Sequence, residues 1–150
     1  MLTYLPYIKL VAQMNLVQTK FDRYIEMAIK NEGLDITKTR AMILNQIRFK
    51  GSVNQRTIAD LNNISPQAIH RHIKILEEKK YIIRKKSKKD IREQNFILTK
   101  SGNILIQKTQ KVFMKSVKEF FKNLTKTERK TLITILSKVE KFNIKKIISH

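Results

Sequence analysis

Cysteine is absent from the 150 residues, so the chain can form no disulfide, offers zinc no thiolate and has no thiol with which to sense oxidants. Glycine is nearly as scarce, with three residues, whereas phosphate-cradling loops need several at fixed spacing. There are only three histidines, and no positioned acid/base set accompanies them. The expectation is a protein that is not an enzyme and has no cofactor. No run approaches the roughly 18 to 20 apolar residues of a membrane span. Met1 to Pro6 has no basic region leading into an apolar signal segment, which points to a cytoplasmic protein without a membrane partner. Acidic residues are also few, 12 against 32 Lys and Arg.

The resulting formal charge of +20 draws the chain toward polyanions, nucleic acid first. Lysine supplies 24 of the 32 basic residues in a chain also crowded with Ile and Asn, a usage that an AT-rich genome produces by itself. The position of the charge therefore has to carry the argument. A length of 150 residues with 41% hydrophobic content is enough for one compact domain with a real core.

Leu10, Met14, Val17, Phe21, Ile25 and Ala28 recur every three or four residues and form the stripe of a long first helix, which Gly33 stops. Thr37 caps a second helix with Ile43, Leu44 and Ile47 inside, ending at Lys50-Gly51. A short extended piece, Ser52-Val53, precedes Asn54, the N-cap of a third helix through Ile58, Ala59 and Leu61. Asn62-Asn63 makes a sharp turn, because Asn tolerates the left-handed conformation. Ser65-Pro66 restarts helix at once, and this fourth helix runs to about Lys79 with Ile69, Ile73 and Leu76 inward.

Tyr81 to Arg84 and Asn95 to Leu98 read as two strands joined by the basic stretch Lys85 to Glu93. Thr99 caps a fifth helix that directs Leu105, Val112, Phe113, Val117, Phe120, Phe121 and Leu124 inward. Thr125 and Glu128 form a capping box for a sixth, with Leu132, Leu136, Val139 and Phe142 on one face.

Two short helices across a tight turn, the second followed by a basic hairpin, is the organisation of a winged helix. The fourth helix, about 14 residues and so about 21 Å long, fits a major groove. Its outer side offers Ser65, Pro66, Gln67, Ala68, His70, Arg71 and Lys74. Gln pairs bidentately with adenine and Arg with guanine, while Ala and Pro lie against a thymine methyl. The hairpin adds Arg84, Lys85, Lys86, Lys88, Lys89, Asp90 and Arg92, cations for phosphate with one acid among them. Asp90 and Arg92 leave an extended segment on the same side, so Asp90 can pair with Arg92 or Arg84 and steer Arg92 into a minor groove. His70 and His72, two apart on a helix, point to different sides and make no metal pair.

From about residue 34 to residue 136 the chain resembles the multiple-antibiotic-resistance regulator (MarR) family of bacterial transcription factors. The matching stretches are Ile36-Thr37 with Arg40, Ile43, Leu44 and Ile47; Asn54-Gln55 with Ile58-Ala59; and Ser65 to Arg84. Asp90-Ile91-Arg92 and Leu98-Thr99-Lys100-Ser101-Gly102 complete them. Each is weak alone, but their order and spacing are specific. Two departures are Lys80, where the family usually has Gly, and Asn63, in place of the usual Gly of the turn.

The resemblance implies a mainly α fold with a small β-wing. Residues 34–102 would be the winged helix-turn-helix lobe, and 1–33 with 103–150 the helices that interdigitate in a homodimer. It implies a transcriptional regulator, a repressor, reading an inverted-repeat operator in double-stranded DNA at the nucleoid, with Ser65 to Lys79 as recognition helix and Arg92 as wing arginine. Family members bind small aromatic acids between the dimer helices and the DNA-binding lobe, so a small-molecule effector is a further expected partner, although no residue singles out its pocket. The competing reading is a sequence-neutral architectural DNA- or RNA-binding protein, favoured by 12 basic against 3 acidic residues from 104 onward. The aromatics, which fall at helix spacing and not on a sheet, speak against an RNA platform.

Overall fold

The structure, a computed structural model, describes residues 5–86 and 94–141. Its elements are α1 (Leu5–Asn31), α2 (Lys38–Lys50), β1 (Val53–Asn54), α3 (Gln55–Asn62), α4 (Pro66–Glu78), β2 (Ile82–Lys86), β3 (Gln94–Leu98), α5 (Lys100–Phe120) and α6 (Lys126–Glu140). The fold is mainly α with a small antiparallel sheet in the order β1-β3-β2. Val53 pairs with Phe96, and Phe96 in turn with Arg84. The chain divides into two units, residues 1–116 and 117–150.

In the first unit the helix boundaries follow local chemistry. Thr37 accepts from the Arg40 N–H, Asn54 from Thr57 at 2.8 Å, and Ser65 from Ala68 at 3.3 Å, so each hydroxyl or amide satisfies a donor that has no partner inside its helix. Four helices end in a residue at positive φ, Gly33 after α1, Gly51 after α2, Asn63 after α3 and Lys80 after α4, and all but Gly51 close in one way. The bond pattern is the same in these three. Gly33, Asn63 and Lys80 donate to Lys30, Asp60 and Glu77, and the next residues, Leu34, Ile64 and Tyr81, donate to Ile29, Ala59 and Leu76. This is the Schellman closure.

The core is built largely of isoleucine. Ile25 and Ile29 of α1 meet Ile43, Leu44 and Ile47 of α2, Ile58 of α3, Ile69, Ile73 and Leu76 of α4, Ile82 and Phe96 of the sheet, and Ile106 of α5. The stripe expected on the first helix is buried only toward its end. Leu10, Met14 and Val17 lie exposed, because α1 reaches the lobe only from about Phe21 onward.

On α5, Phe113 is exposed, contrary to its reading as an inner residue, and stands edge-on to Phe21 with ring centroids 6.2 Å apart. The inner line of that helix runs through Leu105, as expected, with Ile106, Thr109 and Ser116, and Val112 packs against the core. Thr109 is accommodated there because its hydroxyl donates to the Leu105 carbonyl, at 2.9 Å.

In the second unit the Thr125–Glu128 capping box is present, with the Glu128 N–H reaching the Thr125 hydroxyl at 3.2 Å and the Thr125 N–H reaching the Glu128 carboxylate at 2.7 Å. Val117, Phe120, Phe121 and Leu124 are half-buried. Leu132, Leu136 and Val139 lie on one face, as expected, and are exposed, and α6 buries none of its residues. Phe142 lies outside the described residues.

Candidate nucleic-acid interface

Helix α4 is split lengthwise. Ile69, Ile73 and Leu76 are fully buried, which forces the opposite face outward. Ser65, Pro66, Gln67, His70, Arg71 and Lys74 are exposed on it, while Ala68 is half-buried. The helix start is held by α3, whose Gln55 amide donates to the Pro66 carbonyl at 3.2 Å. Lys74 has Glu78 one turn on, at 4.0 Å and well exposed, a contact of little energy that leaves the ammonium available. His72 lies on the other flank, half-buried. Burial first, then the nearby Arg40 and Arg71, hold its imidazole below the usual histidine range. Among the described residues no group of three or more His, Cys, Asp or Glu could hold a metal.

The far end of α4 is fixed from two directions. Lys79, at the end of the expected recognition helix, turns away to an ion pair with Asp35 in the α1–α2 connection. Lys80, in the left-handed conformation at φ 57°, presents its carbonyl to the Thr99 hydroxyl at 2.7 Å and the Ser101 hydroxyl at 2.9 Å. Thr99 also caps α5 by accepting from the Gly102 N–H at 3.0 Å. Gly102 has no room for a side chain, since a Cβ would stand 2.1 Å from the Tyr81 carbonyl oxygen. The Leu98-Thr99-Lys100-Ser101-Gly102 motif thus seats the start of α5 against the junction of α4 and β2.

Of the hairpin cations, Lys85 and Lys86 continue β2 and are exposed. Arg84 is also on the surface, but its guanidinium is engaged. Nε and Nη2 donate to both carboxylate oxygens of Glu77, at 2.6 and 2.9 Å, and Nη1 donates to Gln94 at 2.9 Å. It lies over the Phe96 ring, 5.8 Å from the centroid. Lys88, Lys89, Asp90 and Arg92 lie outside the described residues.

A cavity of about 320 Å³ opens between α1, α2 and α5. Phe21, Ile25, Ile29, Met42, Ile106 and Phe113 make it apolar, and Lys38, Asn45, Thr109 and Gln110 supply its polar groups. Lys38 is paired with Asp22, whose carboxyl it holds below the ordinary aspartate range by hydrogen bonding. Asn45 and Arg48 of α2 clasp Gln110 of α5, at 2.6 and 2.7 Å. No sequence signal points to this cavity, because its lining comes from three separated helices.

A recognition-type helix with a polar outer face, held against a basic antiparallel hairpin, defines a winged helix-turn-helix protein. Residues 34–93 match the model of the MarR family. A curated relative, the uncharacterized HTH-type transcriptional regulator YdgJ of Bacillus subtilis (strain 168), is 29% identical over 104 residues, 69% of this chain. The match spans 63% of that relative's length. Among solved structures, a mutant of MarR from E. coli complexed with operator DNA superposes with a TM-score of 0.81 at 25% identity, covering 91% of this chain and 96% of that one. BpsR of Bordetella bronchiseptica, a protein whose DNA binding is described as regulated by 6-hydroxynicotinic acid, shares the fold with a TM-score of 0.78 at 16% identity, over 88% and 93% of the two chains. Together these findings show a winged-helix fold whose residues 34–93 are similar to the MarR family.

Proposed function

We propose that the chain is a sequence-specific DNA-binding transcriptional regulator, a repressor in the cytoplasm at the nucleoid, acting as a homodimer on an inverted-repeat operator. The observation that carries this reading is the outer face of α4. Gln67, His70, Arg71 and Lys74 stand exposed on a helix whose buried side locks it to the lobe, and Lys85 and Lys86 are exposed on the strand that Arg84 ties to that helix. Gln67 and Arg71 read base edges, and the lysines neutralise phosphate. Ser65 and Pro66 start the helix where backbone N–H groups meet a phosphate. The MarR structure with operator DNA supports the same docking.

Dimerisation is supported by the apolar residues that α1 and α6 leave exposed, Leu10, Met14 and Val17 on one and Leu132, Ile133, Leu136 and Val139 on the other. So much apolar surface on two helices calls for a partner, and a second copy supplies the same surface. On this reading residues 1–33 and 103–150 are the dimerisation helices and residues 34–102 the DNA-binding lobe. The cavity between α1, α2 and α5 takes a small-molecule effector with an apolar body and a polar edge, and the regulation of BpsR by 6-hydroxynicotinic acid supports this by analogy.

Selection of genomic fragments by the purified protein, with footprinting, tests the reading. The expected result is discrete protected sites with two half-sites about 10 base pairs apart. Uniform protection along any DNA would replace it with the architectural reading. Sedimentation is expected to show a dimer, and a stable 17.8 kDa monomer at micromolar concentration would remove the homodimer.

A further inference from the structure

The bidentate pair between Arg84 and Glu77 joins the first wing strand to the recognition helix. Arg84 sits on β2 and Glu77 in the last turn of α4. Both guanidinium edges are used, one on Glu77 through 2.6 and 2.9 Å bonds and one on Gln94 of β3 at 2.9 Å. The arginine therefore ties three elements together, helix and both strands of the hairpin. Its guanidinium also lies over Phe96, a buried residue directly across the ladder.

A planar fork held on a carboxylate at both oxygens is fixed in direction as well as in place. Lys85 and Lys86 follow immediately on the same strand, so whatever holds Arg84 also sets where they stand relative to the α4 face. Glu77 has a plain purpose in this arrangement. An acid beside a DNA-binding surface repels phosphate, and it is useful there only if it serves a neighbouring base.

We infer that Arg84 is a positioning residue and not a phosphate contact: with Glu77 and Gln94 it braces the wing against the recognition helix and so sets the pitch at which Lys85 and Lys86 meet DNA. The inference rests on the DNA-binding reading above. The two ideas part on the effect of Glu77→Gln. If Arg84 is a phosphate cation partly masked by Glu77, removing the acid frees it, and binding tightens with a steeper salt slope. If Arg84 is a brace, the same change weakens binding although the protein gains positive charge.

The experiment measures binding isotherms across a salt series on one fragment selected by the wild-type protein, with hydroxyl-radical footprints and melting curves. The variants are Glu77→Gln, Arg84→Lys and the exchange Glu77→Arg with Arg84→Glu, all in the full chain. Arg84→Lys keeps the charge and most of the stem but loses the fork. Under the brace, both single variants bind about fivefold more weakly, a size typical of coupled contacts. Their salt slopes fall by up to about 1.8, the share of two lysines, while base preference under α4 is kept. The exchanged pair recovers much of the loss.

Glu77→Gln binding as tightly as wild type or tighter, or Arg84→Lys binding unchanged, overturns the brace. So does a loss of base preference and salt slope together with a lowered melting temperature, which marks a purely structural role. A wild-type protein that selects no discrete fragment rejects the regulator reading itself, a result separate from any of these.

Discussion

Replacing Lys80 by glycine is expected to stabilise the protein, although it deletes a side chain and adds no contact. Lys80 has φ 57°, and with a Cβ this left-handed geometry costs about 1–2 kcal/mol, because Cβ crowds the following carbonyl. Glycine removes that crowding but frees the unfolded chain, which gives back about 0.5–1 kcal/mol. The net gain is about 0.5–1 kcal/mol. The closure itself survives, since the bonds of Lys80 and Tyr81 to α4 and the hydroxyls of Thr99 and Ser101 all meet backbone atoms. Asn63→Gly is the matched control. It shares the left-handed conformation, at φ 51°, but Asn adopts it at little cost, so its gain is at most a few tenths of a kcal/mol. Urea denaturation of the three proteins at one protomer concentration reads the difference, because dimerisation would make any midpoint depend on concentration. If Lys80→Gly were neutral or destabilising, or Asn63→Gly gained more, the left-handed conformation would not be a strained one and the reasoning would fail.

Gly102→Ala should do the reverse, costing about 3 kcal/mol or more, since its Cβ would meet the Tyr81 carbonyl oxygen at 2.1 Å and that backbone is tied to α4; melting curves check it. His72, held below its usual value of 6.5, binds fewer protons folded than unfolded. Its contribution is therefore undiminished above pH 6.5 and stability falls as pH drops below that value, whereas His72→Gln should flatten the dependence between about pH 7 and 5.5 in denaturation curves. Asp22 acts in the same direction but lower on the pH scale: the stability from its pair with Lys38 is present above the unfolded value of 3.8 and lost in more acidic solution, so the two groups separate along one pH series. Arg71→Ala should relax preference at one base pair by about 1–3 kcal/mol, whereas Lys85→Gln should weaken all sequences alike and lower the salt slope by about 0.9, as competition binding with single-base variants would show.

The local punctuation of the fold was legible because it is written in single residues. Thr37, Asn54 and Ser65 are capping types at the head of apolar periods, and each caps as expected. Asn63 was legible for the same reason, since its side chain suits the conformation the turn demands. The outer face of α4 followed from its inner one: once Ile69, Ile73 and Leu76 are assigned to the core, the rotation of the helix leaves Gln67, His70, Arg71 and Lys74 no other direction. What escaped were pairings between elements. That Lys79 turns to Asp35, 44 residues away, and that Arg84 faces Glu77 while Lys85 does not, depends on how strand and helix meet. Charge type alone could not sort these cations, because a lysine beside DNA and a lysine on a distant aspartate look the same in a sequence.

The long helices show the other limit of periodicity. An apolar stripe says that a face is to be buried, but not by what. On α1 the residues from Phe21 to Ile29 are covered by the lobe of their own chain, while Leu10, Met14 and Val17, in the same stripe and with the same spacing, are not. The change occurs partway along one helix while the apolar spacing continues unbroken. On α5 Leu105 is buried as expected, but Phe113 borders the cavity with Phe21 while Thr109 and Ser116 are buried. Small polar residues at buried helix positions and large apolar residues at exposed ones invert the usual preference. Inversion on one surface residue is ordinary. On α1 and α6 it extends over several turns, and Leu132, Ile133, Leu136 and Val139 would each give up hydrophobic stabilisation if they stayed in water. The proposed dimer accounts for both helices at once, because a two-fold partner buries each stripe with the same residues that need burial on the other copy.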